Sequence, residues 1–336
     1  MGILVNGRFL SRRITGVERY ATELLNHLGS RVKIIGADRP RQGVWGHLWE
    51  QIFLPQKISA NDILWSPANT GPLSVPNQVL TLQDLNPLEH PNWYSPAYSY
   101  WYRFFLPLLI NVVSRIVVSS NYTERKLIKR FSLSPQKVVT IPAGVDLEKF
   151  RRSDPSDIRN RYGLPEHYLL FVGSLQPGKN LTVLLQAWSL LTGMHPKFGL
   201  VVAGVGAKVF RQVQYSGKMD NVHFIGYIPD PDLPALYSGA SAFIFPSLEE
   251  GFGLPLLEAM ACGTPVLAST AGAIPEVVSD CALLFDPANV TELAARIDSF
   301  LRDRPLQQSL RVKGLERSQQ FSWRISAEQL WKVLQT

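Results

Sequence analysis

Two carboxylates stand eight positions apart in Glu250-Gly251-Phe252-Gly253-Leu254-Pro255-Leu256-Leu257-Glu258. The apolar run Phe243-Ile-Phe before Pro246 predicts a buried strand, the glycines a loop, and Pro255 the first turn of a helix closed by Gly263. Such a junction aims backbone N–H groups and the positive end of a helix dipole at one spot, which suits an anion, a diphosphate foremost. A carboxylate repels phosphate, so each Glu is expected to reach past it to hydroxyls on either side, as on a sugar and a ribose. Taken singly, Glu250 reads as a solvated loop residue and Glu258 as a favourable charge near a helix start. As a pair framing Gly-Phe-Gly-Leu-Pro, they outline a nucleotide-sugar site.

A second candidate is Lys179 in Gln176-Pro-Gly-Lys-Asn180, just ahead of a helix expected from about Leu181. There it can neutralise a diphosphate held by backbone amides; without the first motif it would read as a solvated loop lysine. No Asp-x-Asp cluster is read as placed to hold a divalent cation against the diphosphate, so neither metal nor cofactor is expected.

The elements that must position these residues follow a repeating pattern. Short apolar runs at 3–6, 32–36, 63–66, 79–85, 116–120 and 138–146, then 168–174, 199–206, 222–228 and 243–245, alternate with helical or irregular connections. That is the pattern of parallel sheets covered on both faces, whose ligands collect at the carboxyl ends of the strands. A helix is expected over Val17–Leu28, capped at Thr15 or Gly16, and another from Val290 to about Leu301. Trp45 and Trp49 fall in a Trp-rich connector, and 146–165, polar with two prolines, reads as a linker. The aromatic stretch 93–113 suits an interfacial anchor or an acceptor-binding wall, with a helix packed on the first sheet preferred. Gly204 and Gly206 read by default as a structural turn.

With 336 residues, 46% of them hydrophobic and 18% charged, the chain can form two ordinary domains. Cys262 and Cys281, in apolar surroundings, point to buried thiols in a reduced compartment. The first residues lack the pattern of a signal peptide, and no apolar run reaches the roughly 18 residues of a spanning helix; a cytoplasmic protein is expected. Net charge is +7, and residues 1–150 carry it all, with 17 Lys and Arg against 10 Asp and Glu. The basic residues are scattered and no nucleic-acid module is visible, so no nucleic acid is expected as partner. Peripheral contact with an anionic membrane, at the inner face, or with a phosphorylated acceptor fits better, beside a merely solubilising face.

The stretch from Glu250 to Glu258, continuing through Ala-Met-Ala-Cys-Gly-Thr-Pro-Val and Pro275-Glu276-Val277, resembles the Glu-x7-Glu motif of the retaining, nucleotide-sugar-dependent glycosyltransferases of family 4, or group 1. The resemblance implies an α/β protein of GT-B fold: two Rossmann-like domains with parallel sheets facing across a cleft, and metal-independent transfer. It implies an acceptor-binding domain over 1–150, joined by a C-terminal helix at about 320–336, and a nucleotide-sugar domain over 151–319. Donor binding then falls on Gly16, Gly173, Ser174, Lys179, Tyr227, Ile228, Glu250, Gly251, Phe252, Gly253, Leu254 and Glu258, with Glu250, Lys179 and Asp84 catalytic. Gln83 stands where many relatives have His, so no proton carrier is available there. Relatives place arginine near Ser174 or at the position of Gly178. This chain has neither, which leaves Lys179, dipoles, or a base from the first domain such as Arg8, Arg12 or Arg13.

The function so implied is retaining transfer of a hexose, mannose among the candidates, from a nucleoside-diphosphate sugar to a hydroxyl of a glycan or lipid-linked acceptor. A sugar-nucleotide epimerase of the same fold and a binding protein that has lost turnover are the alternatives.

Overall fold

The computed structural model describes residues 2–11, 15–36, 43–206, 210 and 220–336. By contacts the chain divides into two compact units: Met1–Glu89 with Pro96–Gly144 and Ser322–Thr336, and His90–Ser95 with Val145–Phe321. Among the described residues each unit holds one six-stranded sheet, and every recorded pairing between strands is parallel.

In the first unit β1 (Ile3–Asn6), β2 (Lys33–Ile35), β3 (Ile63–Ser66), β4 (Gln78–Thr81), β5 (Arg115–Val118) and β6 (Val138–Thr140) lie in the order β2-β1-β3-β4-β5-β6. β3 and β4 are buried throughout, as expected for strands covered on both faces. The aromatic stretch forms the helix Pro96–Val112, with Pro107 inside it. Its buried face, Tyr102, Phe105, Leu106, Leu109 and Ile110, packs with Leu80, Ile116 and Val118 of the sheet. The helix Trp323–Val333 belongs to this unit although it comes from the chain end. Trp323 meets Tyr20 edge-on at 5.6 Å, and Ser326 Oγ donates to the Pro142 carbonyl at 2.6 Å.

In the second unit β7 (His167–Val172), β8 (Phe198–Ala203), β9 (Val222–Gly226), β10 (Ala242–Phe245), β11 (Val266–Ser269) and β12 (Ala282–Phe285) lie in the order β12-β11-β10-β7-β8-β9. The direction of winding reverses between β7 and β10, and a crevice at such a reversal is where open α/β sheets bind ligands. Leu169, Phe171, Leu200, Val202 and Ile244 on one face pack against Leu184, Leu185 and Trp188 of the helix Leu181–Ser189 and Ile297 and Phe300 of the helix Val290–Arg302.

Three local expectations differ from the structure. The polar segment 146–165 contains the helix Ser156–Tyr162, whose Ile158 is buried and whose Arg161 and Tyr162 bond Asp232; one apolar anchor and charge pairing suffice to hold so short a helix. The connector around Trp45 and Trp49 is helical, Gly43–Leu48 running into the wider turns of Trp49–Phe53. His90–Ser95 groups with the second unit, because Tyr94 pairs with Phe210 and Trp93 packs on Gly178.

Candidate functional site

In the second unit the reversal between β7 and β10 brings two loops side by side. The loop after β7 carries Gly173, Ser174 and Lys179; the loop after β10 carries Ser247 to Gly253 and enters the helix Leu254–Ala261. They are sewn together by backbone and side chain: Leu248 N–H donates to the Gly178 carbonyl at 2.9 Å, and Asn180 Nδ2 donates to the Pro246 and Pro287 carbonyls at 3.0 and 2.8 Å. Lys179 Nζ donates to Glu250 Oε1, and lies 5.2 Å from the centre of the Phe245 ring. The pair is partly open, with side-chain exposures of 18% and 13%.

Gly272 fixes the backbone of Glu250. Its φ is +62°, and a Cβ there would stand 2.5 Å from the Glu250 carbonyl oxygen, while Ala273 N–H donates to that oxygen at 2.9 Å. Phe252 turns its ring away to meet Phe321 at 5.9 Å. Glu258, 5% exposed inside the helix, accepts from the Tyr237 hydroxyl at 3.0 Å. Burial, aided by the Glu258 charge, pushes the Cys262 thiol up to about 12.

Among the described residues, two polar atoms at this end of the sheet are buried without a hydrogen-bond partner, Ser247 Oγ and Gln176 Oε1. Such groups are costly unless a ligand or water completes them, so both join the candidate site. No local pattern marks Ser247, which differs from an ordinary strand-end serine only in its tertiary surroundings.

The structure also gives a reason for Gly178. A Cβ at that position would lie 2.7 Å from the Trp93 ring, which itself stacks on His90 at 4.0 Å and 9°. The indole takes the volume that a side chain on the loop would need. A tryptophan 85 residues earlier in the chain offers no local pattern that could announce this contact.

Tyr227, 56% exposed, and Ile228, buried, follow β9, whose last residue Gly226 accepts from Gly204 N–H at 2.7 Å. Gly204 in turn abuts Gly173, so the ends of β7, β8 and β9 close on one another. An Asp-x-Asp spacing, Asp230-Pro-Asp232, follows β9. Both carboxylates have basic partners, Asp230 in Lys149 at 3.1 Å and Asp232 in Arg161 at 2.8 Å. Among the described residues no group of three or more His, Cys, Asp or Glu side chains could hold a metal ion.

The remaining candidates lie in the first unit. Gly16 opens the helix Gly16–Leu28, and the Glu18 carboxylate accepts from Thr15 N–H at 3.2 Å. Asp84 Oδ1 accepts from Asn86 N–H at 2.9 Å, which turns the chain into the short helix Asn86–Glu89. Gln83 N–H donates to Asn69 Oδ1, and the Gln83 side-chain Nε2 is buried without a partner. Arg8 does not stand ready for a phosphate: its guanidinium is 4% exposed and donates to Glu50 at 2.7 Å. Glu50, fully buried, also accepts from Asn6 at 2.6 Å and Thr70 at 3.0 Å. The alternatives to Arg8, Arg12 and Arg13, lie outside the described residues.

Comparison with known proteins follows this division. Residues 156–317 match the family model described as Glycosyl transferases group 1, and residues 59–149 the one described as Glycosyltransferase Family 4. An O-antigen chain mannosyltransferase B of Escherichia coli is 35% identical over 217 residues, 62% of this chain and 57% of that protein. A D-inositol 3-phosphate glycosyltransferase of Kribbella flavida is 29% identical over 236 residues, 66% of this chain and 56% of that protein. The matches thus span just over half the length of these relatives. Among solved structures, Anabaena HepE in complex with UDP-glucose aligns with TM-score 0.78 at 20% identity, covering 100% of this chain and 99% of that one. Sucrose-phosphate synthase from Thermosynechococcus elongatus aligns with TM-score 0.76, also at 20% identity, covering 100% and 98%. The fold is that of the GT-B glycosyltransferases.

Proposed function

We propose that this chain, which belongs to the glycosyl transferases group 1 family, moves a mannosyl or related hexosyl group from a nucleoside-diphosphate sugar to a hydroxyl of a glycan or lipid-linked acceptor, with retention at the anomeric carbon. The observation that carries this reading is the Lys179–Glu250 pair held on two stitched loops at the reversal of the second sheet. The leaving diphosphate gains charge as the glycosidic bond breaks, so Lys179 and the amides of the Gly251–Gly253 loop stabilise the transition state more than the ground state. In accepting the lysine's hydrogen bond, Glu250 keeps its carboxylate beside the phosphate seat, where it orients donor-sugar hydroxyls. Glu258 holds the ribose, Gly173, Ser174 and Leu254 line the diphosphate, and the Tyr227–Ile228 backbone receives the base. Acceptor binding is assigned to the first unit, with Gly16 and Asp84 shaping its loops.

Lysine and helix dipoles supply the positive charge that a divalent cation supplies elsewhere, so the proposed reaction needs no metal. The mannosyltransferase relative favours mannose, and a glucosyl donor is the competitor suggested by the structure bound to UDP-glucose. The proposed place of work is the cytoplasm, in peripheral contact with an anionic membrane. No helix of the described residues is long and apolar enough to cross one.

The test is a thermal-shift screen with GDP, UDP, ADP and dTDP, followed by incubation with the matching sugar nucleotide with and without an oligosaccharide acceptor pool, in EDTA. One nucleotide should raise the melting temperature, and diphosphate release should require acceptor. A new sugar nucleotide formed without acceptor would assign an epimerase instead, and tight binding without release a protein devoid of turnover.

A further inference from the structure

A ring closes one side of the donor loops in the second unit. The turn Pro91–Trp93 groups with that unit, and its tryptophan lies parallel to the His90 ring at 4.0 Å and 9°. Trp93 N–H donates to the His90 carbonyl at 3.0 Å, and the next residue, Tyr94, is buried with its ring 5.2 Å from that of Phe210. The benzo edge of the indole abuts Gly178, where an added Cβ would come within 2.7 Å of two ring carbons. Gly178 is the residue before Lys179 in the turn Pro177–Lys179, and its carbonyl accepts from Leu248 N–H of the loop that carries Glu250. The indole, half-buried and held on one face and one edge, therefore stands at the seam of the two loops as a fixed surface.

What lies beside that surface favours hydroxyls. Glu250 offers a carboxylate and Gln176, on the same loop as Gly178, a buried Oε1 without a partner. Both are acceptors, and a sugar hydroxyl donates to either. An acetamido group in place of a hydroxyl brings a carbonyl oxygen that acceptors repel, and a volume that a braced ring cannot cede without losing its contacts. We propose that Trp93 determines which donor sugar is admitted: its ring leaves room for a plain hexose beside Glu250 and excludes one that carries an N-acetyl group. The inference rests on the proposed transfer, since it needs the diphosphate at Lys179 to bring the sugar to Glu250.

Calorimetry on the full chain tests it, with the nucleoside diphosphate that raises the melting temperature most, the same nucleotide bearing mannose or glucose, and its N-acetylmannosamine or N-acetylglucosamine counterpart. The parent should bind the better hexose donor about tenfold or more tightly than the N-acetyl counterpart of that sugar. Trp93→Ala should cut that preference to about twofold or less, chiefly by gaining affinity for the N-acetyl donor, with the bare diphosphate bound as in the parent. Trp93→Phe, which keeps a ring, should retain most of the preference. A preference equal in parent and Trp93→Ala would overturn the inference, as would a parent that binds both donors alike, and either result leaves the transfer reading standing. Parallel loss of affinity for the bare diphosphate and both donors in Trp93→Ala would make the tryptophan a brace of the Lys179 loop and overturn it too. Absence of any nucleotide binding by the parent would strike the transfer reading first, and the inference with it.

Discussion

Each sheet reverses its winding once, and the two reversals are filled in opposite ways. Between β1 and β3 the first unit places Arg8 and Glu50, 4% and 0% exposed, in a network completed by Asn6, Thr70 and His47. Between β7 and β10 the second unit places Lys179 and Glu250, both reachable by solvent, on loops that also carry the buried and unpartnered Ser247 Oγ and Gln176 Oε1. The same topological position thus holds a finished ion pair in one unit and an unfinished one in the other. A sealed pair has already lost its hydration and gained compensating hydrogen bonds, so it fixes structure. A half-open pair can exchange partners with a ligand at little cost.

The contrast breaks most severely at Glu50. Glu50→Ala strands the Arg8 charge in the interior and is expected to cost about 3–5 kcal/mol, read as a shift of the denaturant midpoint; an unchanged midpoint would make the two pairs equivalent. Glu250→Gln should do the reverse, lowering transfer rate by about a hundredfold or more while the midpoint moves less than for Glu50→Ala, because this pair keeps access to solvent.

Smaller effects sharpen the picture of the second reversal. Gly178→Ala forces a methyl toward the Trp93 ring and should cost about 1–3 kcal/mol, relieved when Trp93→Ala is added; equal costs with and without the tryptophan would deny the contact its role. Glu258→Gln keeps the shape and removes the charge, so nucleotide affinity should fall about tenfold, ~1.4 kcal/mol, by calorimetry. The least effect is expected at Cys262. Burial and the Glu258 charge both disfavour the thiolate, which holds the pKa at about 12, so at pH 8 only ~10⁻⁴ of the thiol is ionised. Alkylation should stay slow up to pH 9 and become fast on denaturation; rapid native labelling would place the thiol in the open.

Legibility followed distance along the chain. The strand, loop and helix from Phe243 to Ala261 could be read because proline, glycine and apolar spacing act over a few residues. The helix Ser156–Tyr162 is not legible in the sequence, because its local composition is polar and its hold on Asp232 spans 71 positions. Arg8 was legible as a base but not as a committed one, since Glu50 lies 42 positions away on a segment read as a connector. The helix Pro96–Val112 was legible on its packed side, whereas only the fold shows which aromatic residues remain outside.

By itself the sequence determined the inventory of groups suited to a diphosphate and the alternation that makes parallel sheets, because both are carried by neighbours in the chain. The tertiary structure decided which of two similar ion pairs is sealed and which is left open, and why residue 178 has no side chain. Those outcomes depend on burial and on partners tens of residues apart, and a hydrogen bond or a packed ring is selected by what folding brings within a few ångströms, not by spacing along the chain.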